Sequence, residues 1–198
     1  MMVPHRHANM VDVPRNASPN ANMKTNRFLV ASLLLVCSAS TNAFSQFGGL
    51  FGGGVKVETL ETSTLHKMLS ERQRLVDEAN QSGKKILDSN FVVVDVRSEA
   101  EVNVSIIPGA ITKAQYEKDI ANYRGKLVIP YCTVGGRSGA YAKKLASEGV
   151  KVKNYRGSIL KWVDAGLPLV TLDGKPTNRV HTSSDKYRIP EKYEQVTR

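Results

Sequence analysis

Six residues, Phe91-Val-Val-Val-Asp-Val96, constrain this chain more than any other stretch. The run is β-branched and does not alternate apolar with polar, so both faces of the strand it forms must be covered. Strands of that kind belong to parallel sheets with helices packed on each side. Lys126-Leu-Val-Ile-Pro-Tyr131 is a second such run, although Pro130 cannot donate a ladder hydrogen bond. Val150 to Tyr155 alternates as a third strand. Helical segments stand between them. Thr62 or Ser63 can cap a helix whose stripe is Leu65, Leu69, Leu75, Val76 and Ala79, running to Asn80 with Gly83 as its stop. A short helix follows over 114–122, another over 138–148 closed by Gly149, and a third over 158–165 closed by Gly166 and Pro168. Strands alternating with helices give an α/β domain, a central parallel β-sheet flanked by helices on both faces. Ligands in such sheets sit beyond the carboxyl ends of the strands. No internal repeat is visible.

The chain has 198 residues, enough for one domain plus extensions. Its first part reads as an address. Lys24 and Arg27 precede Phe28-Leu-Val-Ala-Ser-Leu-Leu-Leu-Val-Cys-Ser-Ala39, the layout of a secretory signal, with cleavage expected after Ala43. The apolar run falls short of the roughly 20 residues a membrane span needs, so no stable span is expected after cleavage. Residues 1–22 are polar and read as a disordered leader or an upstream start. Residues 44–56 form a Phe- and Gly-rich stretch with no acid before Glu58, read as a transit segment or a linker. The domain is expected over 57–172, and 173–198 as a polar C-terminal tail on the surface.

The formal net charge is +10. Arg6, Arg15, Lys24 and Arg27 against Asp12 place +3 of it in residues 1–43, leaving +7 for the rest. That surplus suits anionic partners. No Arg-rich run or aromatic-interleaved basic patch supports nucleic acid, so none is expected as a partner. Cys37 falls inside the signal and Cys132 remains, which excludes an internal disulfide in the processed chain and falls short of a structural zinc site. No metal or other cofactor is implied. Without a coiled-coil signal, a monomer is expected.

Cys132-Thr133-Val134-Gly135-Gly136-Arg137-Ser138 carries the chemistry. A buried strand delivers the cysteine, a glycine-containing loop turns, and a helix begins near Ser138. Successive backbone N–H groups in such a turn form an anion-binding nest, and the helix N-terminus adds unpaired donors. Arg137 adds a cation. All three favour thiolate over thiol, so Cys132 is the candidate nucleophile and Thr133 to Ser138 the candidate substrate cradle.

These residues resemble the active loop of single-domain rhodaneses. The likeness extends over roughly residues 57–172: Asp95-Val96-Arg97 with Glu101, the turn Ile107-Pro108-Gly109-Ala110, and Tyr155-Arg156-Gly157-Ser158-Ile159 followed by Trp162, Gly166 and Pro168 are similar to that family's further motifs. Four positions depart from it. Ser105-Ile106 stand where the family usually has Gly-His, Ser158 replaces the second glycine of the late motif, and Pro130 sits two residues before the cysteine. The resemblance implies a rhodanese-like fold and a sulfurtransferase of the thiosulfate type. In it, Cys132 takes the outer sulfur of a small anionic donor as a persulfide and passes it to a thiol or to cyanide. It also implies supporting roles for Asp95 and Arg97 beneath the loop. The stretch around Ala43-Phe44 resembles the presequences of complex-plastid algae, which implies delivery through the secretory pathway to a chloroplast; a secreted or endomembrane location is the alternative.

Two other functions compete. Phosphatases and arsenate reductases are similar in fold but use His-Cys-x5-Arg, whereas this loop has Cys-x4-Arg and Tyr131 in place of the histidine. A loop one residue shorter encloses a smaller anion. The second competitor is a non-catalytic module that carries sulfur slowly or binds a partner. Lys143, Lys144, Lys151, Lys153, Arg156 and Lys161 read as a solvated face, Trp162 as core, and His66 and His181 as surface residues.

Overall fold

The computed structural model describes residues 55–197, Leu87 apart. The leader over 1–22, the signal over 23–43 with its Cys37, and the adjoining segment up to Gly54 lie outside the described residues. The first elements are strand β1 (Glu58–Thr59), helix α1 (Thr62–Ser82), β2 (Phe91–Asp95), α2 (Glu99–Val104), β3 (Ile111–Thr112) and α3 (Lys113–Lys118). A 3-10 turn at Ile120–Tyr123 leads to β4 (Leu127–Tyr131), α4 (Gly136–Ser147), β5 (Lys153–Asn154) and α5 (Ser158–Asp164). Four short strands finish the chain: β6 (Leu169–Val170), β7 (Pro176–Thr177), β8 (Arg179–His181) and β9 (Glu194–Val196).

The apolar runs at 91–96 and 126–131 pair in parallel at the centre, from Phe91 opposite Leu127 to Asp95 opposite Tyr131. β3 adds to the free side of β2 in parallel. On the other side, Val128 bridges to Val152 in parallel, and the Tyr155 N–H donates to the Pro130 carbonyl at 3.0 Å. β5 then pairs in parallel with β1. The strands thus lie in the order β3-β2-β4-β5-β1. Pro130 sits in the middle strand opposite Val94, where it gives up one donor but still accepts from Tyr155.

Side-chain alternation along β2 explains the two layers. Phe91 and Val93 enter a core with Leu65 and Leu69 of α1, Ile129, Tyr131, and Ile159, Trp162 and Val163 of α5. Val92 and Val94 enter a second core with Tyr116 of α3, Val128, and Tyr141 and Leu145 of α4. Helices therefore cover both faces, as the unbroken β-branched run requires. Burying each such side chain is worth about 1.5–3 kcal/mol. α1 ends where Gly83 takes φ 62° and its N–H bonds the Ala79 carbonyl. Trp162 is core, with its indole N–H donating to the Pro168 carbonyl at 2.8 Å.

Three expectations differ in detail, and one helix was not foreseen. The helix expected from Ser138 begins two residues earlier, at Gly136. The third strand is regular only at Lys153–Asn154. The helix expected over 114–122 divides into α3 and the 3-10 turn, because the Thr112 and Gln115 side chains and backbones bond each other reciprocally and start α3 at Lys113. α2 was not expected; its sequence signal is Ser98-Glu99-Ala100-Glu101, in which the Glu101 carboxylate accepts from the Ser98 N–H at 2.9 Å.

The largest correction concerns 173–198, expected as a polar surface tail. β7 pairs with β6, β8 pairs in parallel with β9, and Val180 and Thr182 are fully buried. His181, expected at the surface, is buried, and its Nδ1 accepts from the Ser183 N–H at 3.1 Å. Short polar strands with only one or two apolar anchors (Val180 and Tyr193) carry too little periodicity to be read from sequence. Val180 and Tyr193 join the α1/α5 core, and Arg97 ties the segment down further. Its guanidinium holds the buried Asp95 carboxylate at 2.7 Å and also donates to the carbonyls of Ser105 and His181. Arg97→Ala would strand a buried carboxylate and free both carbonyls. The expected cost is about 3–5 kcal/mol, read as a lower urea midpoint; a loss under about 1 kcal/mol would contradict this role.

Candidate active site

β4 ends at Tyr131, so Cys132 stands at the carboxyl edge of the middle strand. α5 fixes it there. The Ile159 and Leu160 N–H groups donate to the carbonyls of Cys132 and Thr133 at 3.0 and 3.3 Å. Ser158 occupies the left-handed region at φ 55°, a position that favours glycine. Its hydroxyl accepts the Cys132 N–H at 3.1 Å and lies 3.1 Å from the Tyr155 carbonyl and 3.8 Å from Sγ of Cys132. One hydroxyl proton can serve only one of those two acceptors, so it is available to the sulfur when the sulfur is charged.

The loop turns at Gly135, with φ 92°. A Cβ there would collide with the Arg156 carbonyl, so the close approach of loop and backbone needs glycine as well as the turn. α4 begins immediately afterwards and points its free N-terminal amides at the sulfur. The Gly135 N–H reaches Sγ at 3.1 Å. Burial on its own pushes the thiol pKa up. The Ser138 amide and hydroxyl and the amides of Gly135 and Val134 outweigh it, and the net direction is downward. Ser138 Oγ is buried and has no direct hydrogen-bond partner among the described residues, which leaves its proton for an anionic sulfur beside it.

Arg137 does not stand free beside the thiol, as the sequence suggests. It forks onto Glu101, with Nη1 at 2.6 Å from Oε2 and Nη2 at 2.7 Å from Oε1, and Nη2 also donates to the Thr133 hydroxyl at 2.9 Å. Glu101 further accepts from the hydroxyls of Thr133 at 3.0 Å, Ser98 at 2.8 Å and Ser183 at 2.9 Å. Burial alone would raise the Glu101 pKa; Arg137, Ser98 and Ser183 outweigh it and hold the carboxyl far below the usual range. Arg137 thus fixes the shape of the loop, and Thr133 turns its hydroxyl away from the sulfur to do the same. Tyr131, where phosphatases carry histidine, is fully buried with its oxygen accepting the Ile107 N–H.

All seven loop positions, Cys132 to Ser138, are gathered at this strand–helix junction. Asp95 and Arg97 lie beneath it, buried and bonded to each other. Ile106, in the place of the family's histidine, is buried and pairs with Val170 away from the sulfur. The basic residues 143–161 do not line the cleft; Lys144, Lys153 and Lys161 form exposed ion pairs with Glu148, Glu58 and Asp164. The cleft over Cys132 measures about 350 Å³ and is lined by Thr133, Val134, Gly136, Arg137 and, unforeseen from sequence, Ser183, Ser184 and Tyr187. A larger apolar groove of about 650 Å³ beside α1, near Met68, Leu75 and Phe91, includes none of these residues.

Because the Glu101 pKa is lower folded than unfolded, its charge stabilises the fold above the unfolded value, about 4.3, and that stability is lost as pH falls below it. Glu101→Gln is expected to cost about 2 kcal/mol at pH 7 by removing charge-assisted bonds. In urea melts, the gap from wild type should be constant above about pH 5 and narrow below it. A gap that widens on acidification would contradict the assignment.

Comparison with known proteins agrees with this geometry. Residues 78–165 match the family model for the rhodanese-like domain. A tRNA sulfurtransferase of Desulfurococcus amylolyticus is 32% identical over 117 residues, covering 54% of this chain but only 24% of the relative. A sulfurtransferase of Allochromatium vinosum is 29% identical over 103 residues, 50% of this chain and 96% of the relative. Among solved structures, a rhodanese-related protein from Thermoplasma volcanium aligns at 20% identity with a TM-score of 0.43, covering 57% of this chain and 97% of that one. The parallel sheet and the strand-to-helix cysteine loop agree with that match, and a rhodanese-like domain is found over residues 78–165.

Proposed function

We propose that the protein is a sulfurtransferase that moves a sulfane sulfur through a persulfide on Cys132. The observation that carries this reading is the setting of Sγ, buried at the N-terminus of α4 with amide and hydroxyl donors directed at it. In the first half-reaction the thiolate attacks the outer sulfur of a thiosulfate-like donor. The new S–S bond forms as the donor's own S–S bond breaks, and sulfite leaves with the bonding pair. In the second, a thiolate or cyanide attacks the outer persulfide sulfur and the Cys132 thiolate departs. The charge lies on Sγ before attack and on the outer sulfur of the persulfide, so a loop lined with fixed donors faces an anion in both resting forms.

Two features support sulfur over phosphate as the transferred group. The loop is one residue shorter than the phosphatase pattern, and Arg137, the residue that would grip a tetrahedral oxyanion, has both terminal nitrogens engaged by Glu101. The proposal extends to a small anionic donor, a small-molecule or protein thiol acceptor, and a monomer. It also includes delivery through the secretory pathway to an algal plastid, with a secreted or endomembrane location as the alternative.

The test is intact-mass spectrometry of purified protein after incubation with thiosulfate and removal of the excess. Wild type should gain one sulfur atom, lose it on adding cyanide, and Cys132→Ser should gain none. Absence of the adduct in wild type with every donor tried would move the assignment to a partner-binding module on the same fold.

A further inference from the structure

We infer that the segment Ser183–Tyr187 forms the acceptor-side wall of the Cys132 cleft, with Tyr187 setting acceptor size, so that the acceptor is a small thiol or anion rather than a cysteine of a folded protein. The inference rests on the sulfurtransferase reading. The segment lies beyond the residues matched by the family model, yet Ser183, Ser184 and Tyr187 line the cleft together with Val134 and Arg137. Cys132 itself is only 1% exposed, so an acceptor has to enter the cleft to meet the sulfur.

The segment is built in place. Ser183 takes φ 61° and turns its hydroxyl onto Glu101 at 2.9 Å, within 3.1 Å of the Thr133 hydroxyl. Gln195 Nε2 ties the loop from behind, at 2.7 Å from Thr182 Oγ1 and 3.0 Å from each of the Ser184 and Tyr187 carbonyls. Arg97 holds its base through the His181 carbonyl at 3.3 Å. With its backbone anchored at both ends and in the middle, the loop presents Tyr187 at a fixed place on the rim. A ring there narrows the path to Sγ in a cleft of about 350 Å³, and with Cys132 recessed below the surface a slim acceptor reaches the sulfur more readily than a thiol set in the surface of a folded protein.

The experiment loads the full-length protein with sulfur from thiosulfate and measures transfer to cyanide, to glutathione and to a reduced protein dithiol of the thioredoxin type. It compares wild type, Tyr187→Ala and Tyr187→Trp, with thermal unfolding as the check on folding. In wild type, glutathione should accept faster than the protein dithiol. The glutathione-to-cyanide rate ratio should rise about fivefold or more in Tyr187→Ala and fall about threefold or more in Tyr187→Trp, within the range that steric pockets discriminate. If one variant does not fold, the other carries the test. A ratio that stays within twofold of wild type, or transfer to the protein dithiol as fast as to glutathione, overturns the inference and leaves the sulfurtransferase reading intact. No transfer to any acceptor in wild type overturns that reading, and the inference with it.

Discussion

The buried carboxylate of Glu101 is the charge around which the site is arranged. A carboxylate removed from water is costly unless several donors replace its hydration. Here those donors come from three separated parts of the chain: Ser98 at the start of α2, Thr133 and Arg137 in the cysteine loop, and Ser183 in the C-terminal segment. Each therefore has its position set by the same group. Loop shape, helix start and the outer wall of the cleft become one arrangement. Loss of the carboxylate would release all three together.

This division of labour bears on how the thiol is activated. A cation placed directly on the sulfur would stabilise the thiolate strongly but would also hold a bound anion. Arg137 instead spends its fork on Glu101, and the sulfur is served by the Gly135 amide, with the Ser138 and Val134 amides near it and the unpartnered Ser138 hydroxyl at hand for a charged sulfur. Fixed dipoles at a helix N-terminus stabilise negative charge without occupying the space a substrate needs. Ser158 adds a chain-specific donor. The position's left-handed backbone suits glycine, yet serine there brings a hydroxyl to the Cys132 amide and within 3.8 Å of its sulfur.

Most of the sheet was legible from residues alone because burial on both faces writes a continuous β-branched run, and Phe91–Val96 could be read in no other way. The cysteine loop was legible because its glycines, its arginine and the following helix are contiguous. Contiguity did not show what holds Arg137: the arginine, one residue before the end of that run, lines the cleft and orients the loop, and its partner Glu101 lies 36 positions away on α2. The Ser98-x-x-Glu101 pattern signals that helix start, and its full meaning depends on tertiary contacts that local spacing does not encode. The C-terminal segment was hidden for a related reason. Its strands are two or three residues long, and beyond the isolated anchors Val180 and Tyr193 its role rests on side-chain bonds from Arg97, Gln195 and Ser183 that no periodicity announces.

The central claim is that the fold favours the thiolate of Cys132, bringing its pKa below that of an ordinary cysteine. The direct measurement is the rate of its alkylation by iodoacetamide as a function of pH, with the modified residue located by peptide mass spectrometry so that Cys37 does not contribute. A rate profile with its midpoint clearly below the value for a free cysteine, about 8.5, is the result expected from the downward shift. A midpoint at or above that value would mean that burial wins over the donors around the sulfur, and the site would not be the activated nucleophile described here.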